Sequence, residues 1–247
     1  MRRFYLSPEN ITKDIPVITG SDAVHIAQVL RYKRGDIITL FDGIGTEYKA
    51  KILELSPSRV QVSILHRRII DKEPSIHITI AQGFLKEKKM DTVVRQLSEI
   101  GVCRWVPFQG SRSVVRLNAK RLDIRRERWE KIAIEAAKQC GRNQLMSIEP
   151  VVSFSQVLDR YAKFDQRIIF WEKETSGLKK VLSKANFQSG SKIVILLGPE
   201  GGFAPQEIQD AKDKGFVTAG LGPRILRAET AAVVACALVQ FIFGDMG

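Results

Sequence analysis

The sequence predicts an α/β protein in two parts: a small β-barrel over residues 1–70, then an α/β domain with a largely parallel sheet over 74–247. Three observations carry this. Short apolar runs with period-two alternation fill the first part, with one helical segment among them. A polar linker ending in proline, Asp71-Lys72-Glu73-Pro74, follows. Beyond it, apolar strand-like runs alternate with segments of helical period, the pattern of a parallel sheet with crossover helices. A chain of 247 residues has enough length for two modest domains.

Taken in order, Ser21 to Leu30 reads as a helix opened by a good N-cap residue and stopped before Lys33-Arg34-Gly35. Ile37 to Phe41 and Thr46 to Leu55 read as strands around the turn Asp42-Gly43-Ile44-Gly45, and Val60, Val62 and Ile64 alternate as in a half-buried strand. Several short strands with one helix suggest a small barrel. In the second part, Ile76 to Ala81 and Val102 to Phe108 are strands. Lys89 to Ile100 is a helix with Met90, Val93, Val94, Leu97 and Ile100 on one face. A long helix over 123–140 turns Trp129, Ile132, Ala133, Ala136 and Cys140 inward. Ile168 to Trp171, Ile193 to Leu197 and Phe216 to Ala219 are strands; Pro205 to Lys214 and Glu229 to Phe243 are helices, the last read as buried.

Lys and Arg total 39 against 27 Asp and Glu, net +12. The excess is local. Residues 74–145 carry 15 basic and 7 acidic side chains, net +8, densest from Arg112 to Arg142. Such a patch is the footprint of a protein that meets phosphate backbones, weighed against a plain solvated helix face. Three cysteines without CxxC spacing argue against a disulfide scaffold and a Cys-rich zinc site. The histidines share no metal spacing, so no metal is expected. No apolar h-region follows Arg2-Arg3, and Ala231 to Phe243 is too short to span a bilayer. A cytoplasmic protein with no membrane partner is expected.

Two loops carry chemistry. Gly198-Pro199-Glu200-Gly201-Gly202-Phe203 follows an apolar strand and precedes a helix, where a parallel sheet opens its ligand crevice. Its glycines let backbone approach a ligand. The spacing is neither G-x-G-x-x-G nor a P-loop. Leu221-Gly222-Pro223-Arg224-Ile225-Leu226-Arg227-Ala228-Glu229-Thr230-Ala231 likewise joins a strand to a helix. Two such loops at adjacent strand ends, both opening helices, can form one pocket, though either alone reads equally as a plain strand–helix turn.

In this order and spacing the two loops closely resemble the RsmE family, the 16S ribosomal RNA (uracil-N3)-methyltransferases of the SPOUT superfamily. The resemblance extends along the whole chain, through Arg2-Arg3-Phe4, His25-Ile26 to Arg31, Ser98-Glu99-Ile100-Gly101-Val102, Arg112-Ser113-Val114-Val115, and Arg128-Trp129 to Arg142. It implies a PUA-like RNA-binding barrel and a trefoil-knot methyltransferase domain. It also implies S-adenosylmethionine held in the knot loops, 16S rRNA of the small ribosomal subunit as substrate, and a homodimer packed through the knot.

Carried onto this sequence, the cofactor falls to Leu197, Gly198, Pro199, Glu200, Gly201, Gly202, Leu221, Gly222, Ile225, Leu226, Arg227 and Thr230, mostly through backbone groups. Arg227, Glu200 and Arg112 are the catalytic candidates. Arg227 is assigned to the uracil or its phosphate, against a surface or dimer ion pair. Glu200 either faces the sulfonium, accepts the proton, or accepts N–H bonds within its own loop. Arg2, Arg3, Arg31, Arg112, Arg116, Arg125, Arg126, Gln139 and Arg142 are candidates for RNA, with Arg112 and Arg142 reaching the target nucleotide or serving as generic phosphate contacts. Cys140 is expected in the core. Two residues depart from the family pattern. Ala204 replaces a capping hydroxyl, which weakens that helix start by about 1 kcal/mol, and Ala228 replaces a threonine. Competing readings are an enzyme of the same superfamily acting on 23S rRNA or tRNA, a non-catalytic RNA-binding protein, and a phosphate-ligand enzyme.

Overall fold

The computed structural model describes residues 3–70, 73–113, 118–183 and 188–247. The chain forms two compact units, Met1–Glu73 with Ile134–Leu145, and Pro74–Ala133 with Met146–Gly247. Residues 134–145 therefore group with the first unit, which a linker at 71–74 does not announce.

The first unit contains β1 (Arg3–Tyr5), α1 (Pro8–Ile11), β2 (Val17–Thr19), α2 (Gly20–Val24), β3 (Ile37–Phe41), β4 (Thr46–Leu55) and β5 (Arg59–Ile69). After α2 the chain widens into a π-helical turn over His25–Val29. The sheet order is β1-β3-β4-β5-β2, with β1 parallel to β3 and the rest antiparallel. Two register shifts between β4 and β5, at Lys49/Ala50 and Ile52/Glu54, bend the ladder toward a half-barrel. The β3–β4 turn is held by the Asp42 carboxylate, which accepts the N–H groups of Ile44 (2.9 Å) and Thr46 (3.0 Å). Phe4, Ile18, Ile26, Ile38, Leu40, Val60 and Val62 fill the core. The segments β1, α1 and β2 are three or four residues long, too short to show a period in the sequence.

The second unit contains β6 (His77–Gly83), α3 (Glu87–Glu99), β7 (Arg104–Gln109), the start of α4 (Ala119–Cys140), β8 (Ser147–Ile148), β9 (Val152–Ser153) and α5 (Phe154–Tyr161). It continues through β10 (Gln166–Phe170), α6 (Leu178–Leu182), β11 (Lys192–Leu197), α7 (Pro205–Asp213), β12 (Val217–Ala219) and α8 (Ala228–Phe243). The sheet order is β12-β10-β11-β6-β7-β8, with β9 beside β7, and these pairings are all parallel. Both faces are covered, as such sheets require. Along β11, Ile193, Ile195 and Leu197 pack into one core and Val194 and Leu196 into the other. The α3 stripe of Met90, Val93, Val94 and Leu97 is buried as its spacing predicts. The helix α5 opens with a capping box between Ser153 and Gln156.

Two expectations need correction. Cys140 is exposed, because the last turn of α4 directs only Ala136 and Ala137 inward. The last helix is buried along one face only: Ala232, Ala235, Cys236, Val239 and Gln240 are covered, whereas Leu238, Phe241 and Ile242 face outward. Among the described residues no helix is long and apolar enough to cross a membrane, and no group of three metal-ligating side chains occurs.

Candidate active site

The strands that carry the two loops, β11 and β12, are not the neighbours the sequence predicts: β10 lies between them and pairs with both. The segments leaving the carboxyl ends of all three enclose a cleft of about 890 Å³. Phe170, Trp171 and Glu172 come from the end of β10. The segment 197–203 leaves β11, and 219–228 leaves β12. Lys86 and Lys89 reach the rim from the start of α3.

Each wall has a local cause. Gln82, fully buried at the end of β6, donates to the carbonyls of Gly198 (3.1 Å) and Leu197 (3.5 Å), which fastens the base of the Gly-rich loop. Gly202 closes the Pro199–Gly202 turn with an N–H bond to Pro199 O (2.9 Å) at φ +67°, a left-handed conformation that favours glycine. Phe203 anchors the far end in the core, stacked on Phe108 and tilted against Phe154. On the other side, Gly220 lies against the segment 174–177. Its N–H bonds Ser176 O (2.9 Å), and a Cβ there would fall 2.4 Å from Glu174 O. The two backbones meet there in a parallel bridge between Gly177 and Gly220. The Glu174 carboxylate braces it, accepting from Thr218 Oγ1 (2.6 Å) and Ser176 N–H (2.8 Å), bonds that hold its pKa below the ordinary glutamate value.

The rim is charged. Lys89 Nζ lies 2.5 Å from Glu200 Oε1 and 3.5 Å from Glu229 Oε2, so one ammonium joins the Gly-rich loop to the first turn of α8. The hydrogen bond to Glu200 is the main reason its pKa is raised. The Trp171 indole N–H is buried without an acceptor among the described residues. The N–H groups of Leu221, Gly222, Ile225 and Leu226 also have no acceptor there.

A family profile described as an RNA methyltransferase domain matches residues 71–240, and one described as an RNA methyltransferase PUA domain matches 18–65. The chain is 35% identical over 229 residues to Ribosomal RNA small subunit methyltransferase E of Bacillus subtilis (strain 168), covering 91% of this chain and 89% of that relative. The chain belongs to the RNA methyltransferase family. Among solved structures, a small subunit methyltransferase E from Neisseria gonorrhoeae bound to S-adenosyl methionine matches with a TM-score of 0.86 and 33% identity over all of both chains. A putative methyltransferase from Legionella pneumophila, in complex with the cofactor SAM, matches with a TM-score of 0.89 and 30% identity over 98% of each chain.

In this RNA methyltransferase, Leu197, Gly198, Pro199, Glu200, Gly201, Gly202, Leu221, Gly222, Ile225, Leu226 and Arg227 all line the cleft. Thr230 does not; it sits on the exposed side of α8, and Ala231 faces the cleft instead. Glu200 is engaged by Lys89 rather than by N–H groups of its own loop. Arg112 Nη1 donates to Gly201 O (3.0 Å). Ala204 lacks a capping oxygen, and the Glu207 carboxylate takes its N–H instead (2.8 Å).

The RNA candidates divide. Arg2 and Arg116 lie outside the described residues. Arg31 and Gln139 are exposed, Arg31 with a left-handed φ of 53°. Arg125 sits over the Phe84 ring, and Arg126 bonds Ile148 O (3.1 Å) and pairs with Glu130. Arg3 and Arg142 turn inward. Arg3 lies over Phe41, bonded to Asn143 and near Glu47, and burial lowers its pKa. Arg142, 9% exposed, grips both oxygens of Glu73. Sequence reasoning missed Lys86, Lys89 and the 170–172 wall. Extending the strand-end rule to Ile168 to Trp171 points to the last of these; nothing local in the sequence marks the lysines.

Proposed function

We propose that this protein transfers a methyl group from S-adenosylmethionine to N3 of a uridine in 16S rRNA of the small ribosomal subunit. The observation that carries the reading is the cleft formed by the 197–203 and 219–228 segments, in a chain that belongs to the RNA methyltransferase family. The residues fit the cofactor. Free amides of Leu221, Gly222, Ile225 and Leu226 suit an adenine edge, and Phe170, Leu197 and Leu226 supply apolar walls.

When bound, S-adenosylmethionine supplies an activated methyl on a sulfonium. The protein must hold uracil N3 in line with it and manage the imide proton. Orientation alone contributes up to roughly 7–11 kcal/mol in well-aligned reactions. Arg227, at the cleft, is assigned to the uracil oxygens, where a cationic donor stabilises charge as N3 loses its proton. Arg112 is assigned to the target nucleotide. Glu200, restrained by Lys89, is assigned as acceptor of the proton. Arg31, Arg125, Arg126 and Gln139 are assigned to the RNA surface. The exposed apolar residues Leu238, Phe241, Ile242 and Met246 support a homodimer that covers the α8 face. The proposed location is the cytoplasm, where the ribosomal subunit is.

The test is methyl transfer from labelled S-adenosylmethionine to small subunits lacking modifications, with the modified nucleoside identified by mass. Label in N3-methyluridine of 16S rRNA is the expected result. Cofactor binding with label only in another RNA or nucleoside overturns the substrate assignment.

A further inference from the structure

We propose that Glu207 is a positioning residue that couples cofactor occupancy to the placement of Arg112 toward RNA. The inference rests on the methyltransferase reading above. Glu207 stands in the first turn of α7 and is 7% exposed. Its Oε2 accepts the Ala204 N–H (2.8 Å), and its Oε1 accepts the Ser111 N–H (2.9 Å). Capping α7 needs only the first of these bonds. The second reaches a different segment, the turn 110–113 that follows β7.

That turn is closed by Ser113 N–H to Gly110 O (3.1 Å) and by Gly110 N–H to Ser113 Oγ (3.0 Å). A Cβ at Gly110 would sit 3.0 Å from Glu207 Oε1, so glycine is what lets the turn rest on the carboxylate. Arg112, two residues on, reaches back to Gly201 O (3.0 Å), and a Cβ at Gly201 would lie 3.3 Å from Arg112 Cβ. The turn is thus fastened once to the Gly-rich loop, through Arg112 and Gly201 O, and once to the helix that follows that loop, through Ser111 and the Glu207 carboxylate. A ligand that fixes Pro199–Gly202 also fixes the carbonyl that orients Arg112. Linkage then requires RNA to tighten cofactor binding by the same factor.

The experiment uses the full chain and measures affinity for unmodified small subunits with and without saturating S-adenosylhomocysteine. The unaltered protein is expected to bind RNA about fivefold or more tightly with the ligand, the low end of ordinary coupling. Two variants follow, Glu207→Gln and Ser111→Pro. The second removes the Ser111 N–H and sets a proline ring carbon where that hydrogen pointed at Glu207 Oε1, so the contact is broken from the side of the turn; proline is favoured at the second position of such a turn, and Ser111 is not left-handed. In both variants the coupling factor should fall toward one, with affinity for S-adenosylhomocysteine alone within about twofold of the original, under a third of a decade. A purely structural role would lower the melting temperature and leave the ratio unchanged. Full coupling retained in Ser111→Pro overturns the proposal, as does an unaltered protein that binds S-adenosylhomocysteine with no effect on RNA. Failure to bind S-adenosylhomocysteine at all overturns the reading of the cleft itself.

Discussion

Replacing Gly83 by alanine probes how the sheet supports the Gly-rich loop. Gly83 ends β6, and its φ is not left-handed, so alanine meets no backbone strain there. At a compatible position Gly→Ala stabilises by about 0.4–1 kcal/mol through the unfolded state. Contact reverses that sign here. The added Cβ would lie 2.5 Å from Pro199 N, 2.6 Å from Pro199 Cδ and 2.9 Å from Gly198 C. These are backbone and ring atoms, not the ends of flexible side chains, so strand and loop must separate by roughly 1 Å to reach ordinary van der Waals distance. Overpacking of this kind costs about 1–3 kcal/mol. For a chain of this size each kcal/mol is about 2–4 °C, so calorimetry should show a Tm lower by about 2–12 °C. Because the displaced atoms belong to the cleft, titration with S-adenosylmethionine should show affinity down about tenfold for each 1.4 kcal/mol that falls on the loop. A Gly83→Ala protein with an unchanged or higher Tm and unchanged affinity would refute the reasoning.

Trp129→Ala empties a site beside Trp105 (centroids 4.9 Å) and Phe84 (6.0 Å), and should cost about 3–5 kcal/mol in urea unfolding. Arg142→Ala leaves the mostly covered Glu73 carboxylate without its cation and with the Gln144 N–H (3.3 Å) as a weak remaining donor, and should cost up to about 3–5 kcal/mol; removing both charges together should restore much of that stability. Glu174 has a depressed native pKa, so its contribution is fully present above its ordinary value of 4.5 and is lost as pH falls through the lower native value. Glu174→Gln should therefore flatten the acid limb of the stability–pH profile. Replacing Arg125, Arg126 and Arg128 by Glu should weaken RNA binding and its salt dependence while cofactor affinity holds; unchanged RNA affinity would remove that face from the interface.

Legibility in the sequence followed length and locality. The stripe on α3, the strand Lys192–Leu197 and the two loops were readable because several consecutive residues repeat one constraint. The three-residue strands β1 and β2 and the two-residue β8 and β9 carry no period, and pairing with distant strands creates them. Cys140 misled because helical spacing marks one face of α4, and at its last turn the inward direction depends on what packs there. Arg142 sits in a basic run that reads as a solvated, RNA-facing surface, yet its partner Glu73 lies 69 residues away.

By itself the sequence determined the two-part organisation, the basic middle segment, the parallel α/β character and the two loops that build the cleft. Those features are set by neighbouring residues through period, turn chemistry and charge. The tertiary structure decided the rest. It closed the rim with Lys89 between Glu200 and Glu229, turned Arg3 and Arg142 inward, and bridged Gly220 to Gly177. It also set Glu207 against a turn 96 residues away and Arg112 against a carbonyl 89 residues away. Such contacts depend on which distant segments the packed sheet brings within 3 Å, and no local pattern of side chains encodes that distance.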